Sequence, residues 1–188
     1  MSASVRMTPG MTELEQPYTL MARLFHWVVA ALLVMQITIA LVLPLILPKA
    51  DEDRLTAWHL SVGSTILLVM LLRLAWRLTH TPPPPPADLP PSLRRLSRAT
   101  HWAFYAILVA LPILGWTAAS AFGATVRLFG LIPLPALVAP DKPFAEKIGD
   151  VHATVAFVLL ALIALHVAGA LYHAFIKRDG VIRRMLPR

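Results

Sequence analysis

Four long apolar segments dominate the sequence, at roughly Leu20–Leu43, Ala57–Leu78, Ser97–Ala121 and Asp150–Ile176. About 20 apolar residues in a helix cross the hydrocarbon core of a bilayer, which is about 30 Å thick. Polar or proline-rich stretches separate the segments, so each is interpreted as a separate span. The pattern predicts an all-α fold, an integral membrane four-helix bundle.

The same pattern divides the chain into one membrane domain with polar ends. We expect a polar N-terminal segment at 1–17, the four-helix transmembrane domain at 18–178 and a basic C-terminal tail at 179–188. The first span is expected to end where Pro44 and Pro48 break the apolar pattern, because proline interrupts helical hydrogen bonding. The apolar stretch Leu128–Val138 contains two prolines and is too short to cross, so it should lie on the outer surface as a cap.

Composition supports a membrane protein and narrows its chemistry. Hydrophobic residues make up 57% of the chain and charged residues 14%, which is too little charge for the surface of an ordinary soluble domain. The chain has no cysteine, which excludes disulfides, cysteine-held iron–sulfur clusters and covalently attached c-type haem. Any haem would have to be held by histidine or methionine.

Basic charge is distributed by side of the membrane. The formal net charge is +7, and twelve of the seventeen Lys and Arg residues lie in or beside the N-terminal segment, the 79–96 loop and the C-terminal tail. The other two loops hold five basic and six acidic residues. The positive-inside rule therefore predicts that both termini are cytoplasmic. This placement explains the basic charge without nucleic acid as a partner.

The fourth span carries three histidines, although ionisable side chains inside a membrane are costly and usually functional. His152 and His166 are fourteen residues apart, which is nearly four helical turns. Both side chains therefore leave one face of the helix, about 21 Å apart along its axis. The depth of His166 matches that of His26 in the first span, and the depth of His152 matches that of His59 in the second.

These two depth-matched pairs suit a metal that is held by two imidazoles. Zinc would require four ligands, and the spans offer no cysteine and no spare carboxylate. Haem iron needs only two axial ligands. The sequence therefore predicts two b-type haems, with His26 and His166 on one iron and His59 and His152 on the other.

Other polar residues near the inner membrane face have several open interpretations. His101 and His173 have no depth-matched partner except each other, and they could be alternative ligands, propionate contacts or polar groups for a quinone head. Four arginines near the same face are candidates for contacts to haem propionates or to a quinone: Arg23, Arg73, Arg77 and Arg98.

Motifs along most of the chain resemble those of the prokaryotic cytochrome b-561 family of four-helix di-haem membrane proteins. The matching stretches are FHW at 25–27, WH at 58–59, LLRLAWRL at 71–78, HWAFYAILVALPILGW at 101–116, LFGL at 128–131, His152, LH at 165–166 and FIKRDGVIRRMLPR at 175–188. The resemblance implies haem ligation by the two histidine pairs that depth selects. It also implies a multi-pass protein of the bacterial inner membrane.

Family members with the most similar layout resemble superoxide oxidases. This resemblance implies that the protein takes an electron from superoxide, or another one-electron donor, at the outer face and passes it to ubiquinone within the lipid bilayer. Three basic residues of the outer loops are then candidates for attracting the superoxide anion: Arg127, Lys142 and Lys147.

Two other functions remain open from the sequence. Similar di-haem four-helix cytochromes serve as electron-transfer and anchor subunits of a dehydrogenase or hydrogenase. A transporter without a cofactor could use the histidines as a proton relay.

Overall fold

A computed structural model describes residues 17–85 and 89–186. It confirms the all-α membrane fold, because four helical spans are long and apolar enough to cross a bilayer: Leu20–Ile46, Lys49–Thr79, Pro91–Ala121 and Lys142–Lys177. Of the predicted N-terminal segment, all but residue 17 lies outside the described residues. The cytoplasmic location of the termini stays a prediction.

Within residues 17–85 and 89–186, the fold consists of five α-helices, four short π- or 3-10-helical turns and one short hairpin. The first span contains α1 (Leu20–Ile37), a π-helical turn (Thr38–Val42) and α2 (Leu43–Ile46). After a 3-10 turn (Lys49–Asp51) come α3 (Glu52–Thr79), α4 (Pro91–Ala121), the strands β1 (Arg127–Leu128) and β2 (Ile132–Pro133), and α5 (Lys142–Leu171). A second π-helical turn (Tyr172–Lys177) extends α5, and a 3-10 turn (Ile182–Arg184) follows it.

Polar side chains cap the N-terminal ends of α1 and α5. The hydroxyl of Thr19 accepts a hydrogen bond from the amide of Ala22 at 3.3 Å, and the carboxylate of Asp141 accepts one from the amide of Phe144 at 3.1 Å. Helices α4 and α5 also have proline in their first turn, where no intrahelical N–H donor is needed. Helices α3, α4 and α5 all start before the apolar segments seen in the sequence, and of these three α5 has a side-chain cap.

Of the two prolines expected to end the first span, Pro44 does not end it, and the span ends before Pro48. Pro44 stands in the first turn of α2, directly after the π-helical turn, and there its missing N–H costs little. The span consequently continues to Ile46. The π-helical turn also contains Ile39, which is buried in the core.

The loop between α4 and α5 contains an antiparallel hairpin that packs against α3. Arg127 pairs with Pro133, and Leu128 pairs with Ile132. The hydroxyl of Ser64 in α3 lies 3.5 Å from the carbonyl oxygen of Arg127. The stretch expected to cap the outer surface therefore includes most of a short hairpin that packs against α3.

Helix packing is uneven around the bundle. Among the described residues, close packing joins α1 to α3, α3 to α4 and α4 to α5, whereas α5 is not closely packed against α1 or α3. The buried side chains of α5 are Ala145 and Leu159. The apolar core consists of Val29, Ile39, Leu55, Val62, Ile66, Met70, Leu108 and Leu159. Helix α5, which carries His152 and His166, is therefore held in the bundle chiefly through its packing against α4.

The C-terminal segment folds back onto the start of α1. The amide of Tyr18 donates to the carbonyl of Arg184 at 3.2 Å, and the indole of Trp27 donates to the carbonyl of Met185 at 2.8 Å. The guanidinium of Arg184 is buried, donates to the carbonyl of Pro84 at 2.9 Å, and lies 5.7 Å from the centre of the Tyr18 ring. These contacts join the chain end, the proline-rich loop and α1.

Replacing Arg184 by Ala should destabilise the protein by about 1–3 kcal/mol, because it removes the hydrogen bond from the charged guanidinium to the carbonyl of Pro84 and the contact with the Tyr18 ring. Thermal unfolding in detergent would measure the effect. Arg183→Ala is the matched control, since Arg183 is exposed in the same 3-10 turn. Equal unfolding temperatures for the two variants would contradict a structural role for the fold-back.

Candidate functional site

The structure groups five histidines at two levels along α5. At one level, His166 of α5 lies near His26 of α1 and His101 of α4. At the other level, His152 of α5 lies near His59 of α3. Each level therefore joins α5 to a helix against which it is not closely packed.

The inner pair consists of His26 and His166. Their ring centres are 6.2 Å apart, and the ring planes are inclined by 47°. Trp27 packs its ring edge-on to His26, with centres 5.0 Å apart. The Nδ1 atom of His26 is buried and has no hydrogen-bond partner in the protein. Buried polar atoms normally have a partner, so this nitrogen is chemically available.

The outer pair consists of His59 and His152. Their ring centres are 6.0 Å apart, with an angle of 72° between the planes. The Nδ1 atom of His152 lies 3.1 Å from the carbonyl oxygen of Leu111 in α4, so Nδ1 carries a proton and donates it. Its Nε2 is then left unprotonated in the neutral ring, which is the form that binds a metal.

Gly115 allows the His152 ring to lie against α4. A Cβ atom at position 115 would come 3.1 Å from Cε1 and 3.3 Å from Nδ1 of His152. Any side chain at this position would push the ring away, so the glycine sets the closeness of the contact.

His101 and His173 have different neighbours, although the sequence offered each as the depth partner of the other. The His101 ring lies 5.8 Å from the His166 ring, and its Nδ1 donates to the carbonyl of Ser97 at 2.6 Å. His173 lies in the second π-helical turn, and its Nδ1 atom lies at hydrogen-bonding distance, 2.6 Å, from a carboxylate oxygen of Asp179. Because a π-helical turn is wider than an α-helical one, the direction of His173 does not follow from α-helical periodicity.

A sequence model of the prokaryotic cytochrome b561 family matches residues 17–188. The chain belongs to this family. Cytochrome b561 homolog 2 of Escherichia coli (strain K12) is 28% identical over 176 residues, 93% of this chain and 94% of the relative. Probable superoxide oxidase CybB of Yersinia pestis is 28% identical over 163 residues, 87% and 92% of the two chains. Cytochrome b561 homolog 1 of Escherichia coli is 30% identical over 133 residues, 69% and 73% of the two chains.

Membership of the cytochrome b561 family identifies the chain as a membrane haem protein with b-type haem. It also confirms the expected location as a multi-pass protein of the bacterial inner membrane. A b-type haem argues against the alternative of a transporter without a cofactor.

The two histidine pairs fit haem iron. A metal bonds an imidazole nitrogen at about 2 Å, so two rings bonded to one metal from opposite sides have centres about 6 Å apart. The observed separations are 6.2 and 6.0 Å. The helices on either side are not in close contact among the described residues, which suits a flat macrocycle between them.

The basic candidates occupy different environments. Arg73 is half-buried, lies 5.7 Å from the centre of the Tyr105 ring, and is close enough to His26 and His166 for its charge to act on both. Arg23 donates to the carbonyl of Leu186 at 2.9 Å. Of the remaining candidates, Arg77 is half-buried and four are exposed: Arg98, Arg127, Lys142 and Lys147. Arg73 is therefore the cation placed best for an anionic group at the inner pair.

Two residues of the site, Gly115 and Gln36, were not predicted from the sequence. Gly115 lies inside a motif of the family resemblance, and a glycine within a membrane helix often marks a close helix contact. Gln36 is an amide in an otherwise apolar span, and it reaches His59. The glycine and the glutamine are both conspicuous in the sequence, but the sequence does not show which residue of another helix each one contacts.

Replacing Gly115 by Ala should weaken haem binding at the outer pair by about fivefold to 150-fold. The added Cβ would crowd the His152 ring, and overpacking of this kind costs about 1–3 kcal/mol, where 1.4 kcal/mol is tenfold. Haem per chain, from the absorbance of purified protein, is the measurement. Gly149→Ala is the control, because a Cβ at 149 meets nothing within 4 Å. Unchanged haem content in both variants would show that the ring position does not matter.

Proposed function

We propose that this cytochrome holds two b-type haems, one between His26 and His166 and one between His59 and His152, and carries electrons across the bilayer. The observation that supports this proposal is the presence of two facing imidazole pairs with nearly equal separations, 6.2 and 6.0 Å, at two levels of one helix. Bound haem would supply one-electron chemistry. Helix α5 fixes the spacing of the two levels at about 21 Å.

At the outer face, the proposed electron donor is superoxide, which loses one electron and leaves as dioxygen. The name of the Yersinia pestis relative supports this donor. Lys142 and Lys147 are exposed in the first turns of α5, and Arg127 is exposed in the hairpin, so all three can attract an anion. The acidic run at 51–53 opposes this field, but Asp51 is paired with Arg54 at 3.0 Å.

At the inner face, the proposed acceptor is ubiquinone. Its reduction to quinol takes two electrons and two protons, so two superoxide anions are consumed for each quinol. His101 lies beside His166, and the His173–Asp179 pair can hold or move a proton at the cytoplasmic end of α5. These groups are the proposed quinone contacts, with Arg73 as the nearby cation.

Single histidine replacements should remove the haems selectively. His26→Ala or His166→Ala should eliminate one haem, and His59→Ala or His152→Ala should eliminate the other, because each substitution would remove one of the two histidines proposed to hold that haem. Haem per chain and the reduced-minus-oxidised spectrum of each variant measure this. His80→Ala is the control, since His80 lies exposed at the end of α3, stacked on Trp76.

Two results would contradict the assignment. A maximum of one haem in fully loaded protein would exclude two sites. Loss of the inner haem from His101→Ala but not from His26→Ala would identify His101 as the partner of His166.

Superoxide should reduce the purified cytochrome rapidly, and added quinone should reoxidise it. Lys142→Gln or Lys147→Gln should slow reduction by superoxide about twofold to tenfold at low salt, because electrostatic steering of the anion is lost. Added salt should also slow the reduction of the parent protein, because it screens the same charges. Stopped-flow absorbance measures the rates. Arg95→Gln is the control, because Arg95 is exposed at the opposite end of the bundle.

If quinol reduces the cytochrome readily and superoxide does not, the assignment of superoxide as the electron donor is wrong. The protein would then be an electron-transfer subunit of a larger dehydrogenase or hydrogenase. Co-purification of a stoichiometric soluble partner would identify that complex.

A further inference from the structure

Gln36 is a polar side chain in the apolar first span that the proposed function does not use. The chain contains no asparagine, and its glutamines are Gln16 and Gln36. Gln36 stands one residue before the end of α1 and is half-buried. A primary amide inside a membrane span is costly unless it is hydrogen-bonded, so its contacts require an explanation.

The amide of Gln36 contacts His59 in two places. Its Nε2 atom lies 3.1 Å from the carbonyl oxygen of His59 and 3.1 Å from the Nε2 atom of the same residue. A carbonyl oxygen only accepts hydrogen bonds, so the nitrogen of the amide must face it, and this fixes the orientation of the group. One side chain therefore holds both the backbone and the imidazole of His59.

The surroundings of the amide are shaped for this contact. A Cβ atom at Gly63 would lie 3.4 Å from Nε2 of Gln36, which is an ordinary contact distance, so the amide lies against α3 at this glycine. The Oε1 atom of Gln36 is buried and has no hydrogen-bond partner in the protein. A buried amide oxygen without a donor costs about 1–3 kcal/mol. Such a cost is tolerated more readily where the group has a function.

We propose that Gln36 is a positioning residue of the outer haem site, which orients His59 and raises the reduction potential of the haem bound there. This inference rests on the proposed ligation by His59 and His152. A ring nitrogen has one lone pair, so a nitrogen that ligates iron cannot also accept from the amide. Gln36 then keeps its bond to the His59 carbonyl, and its second N–H remains beside the ligand.

The sign of the effect follows from the orientation of the amide. Its N–H end carries partial positive charge and faces the His59 ring, whereas its oxygen is the negative end. Positive charge near a redox centre in a medium of low dielectric constant favours the form with the additional electron. Gln36 should therefore make the outer haem easier to reduce, with little effect on the inner haem about 21 Å away along α5.

Replacing Gln36 by Met, which has similar size but no N–H, tests the proposal. We expect the outer midpoint potential to fall relative to the inner one, with a change in electron partition between the two haems of up to tenfold, which is about 59 mV for a one-electron couple. Redox titration monitored by absorbance measures both midpoints. Variants with His59→Ala and His26→Ala identify which spectral component belongs to which haem.

Two further variants keep the test decisive. Thr38→Val is the matched control, because it removes a hydroxyl that bonds to the carbonyl of Val34 in the same part of the helix, away from His59. Gln36→Asn keeps the amide but shortens it, and should give an intermediate shift. Selective loss of the outer haem from Gln36→Met, with the inner haem retained, would equally support the positioning role.

Other outcomes would overturn the proposal. Unchanged outer midpoint and haem content in Gln36→Met and Gln36→Asn would show that the amide has no role. Equal shifts of both haems would indicate a general perturbation. If His59→Ala removes the outer haem while the Gln36 variants match the parent, only this inference fails. If His59→Ala removes no haem, the ligand assignment fails and this inference fails with it.

Discussion

The unbroken α-helix between His152 and His166 is the constraint on which the rest of the structure depends. Helical hydrogen bonding runs continuously from Lys142 to Leu171, so the two imidazoles are held at a fixed spacing on one face. The other helices are arranged around this spacing. Helix α1 brings His26 to one level, and α3 brings His59 to the other.

Helix α4 has a different role, because it supports α5 from the side. It packs closely against α5, supplies the Leu111 carbonyl that orients His152, and has a glycine where that ring approaches. A metal ligand whose second ring nitrogen is held in this way keeps its tautomer and its direction. Helix α4 therefore supports α5 by close packing, whereas α1 and α3 supply the histidines of the proposed haem sites.

The sequence predicted the features that depend on periodicity and depth. The α-helical repeat places His152 and His166 on one face. Counting from the membrane boundaries places His26 at the depth of His166 and His59 at the depth of His152. Features that depend on a second helix were not predictable. Gly115 lies against His152, and Gln36 contacts His59. Both contacts join segments that are distant in sequence.

Local departures from α-helical geometry account for the remaining differences. The π-helical turn before Pro44 allows the first span to continue, and the π-helical turn after Leu171 changes the direction of His173. A hydrophobicity pattern carries no information about which residues adopt such turns. Helix starts at Glu52 and Lys142 were missed for a related reason, since the capping turns are polar and lie outside the apolar segments.

The fold-back of the C-terminal segment also imposes an order on assembly. Tyr18 and Trp27 belong to the beginning of the first span, but the carbonyl groups that they bond, at Arg184 and Met185, come after all four spans in the chain. Proteins are synthesised from the N-terminus, so α1 is made long before its partners exist. The inner end of the bundle can therefore acquire its final contacts only after the fourth span has been made.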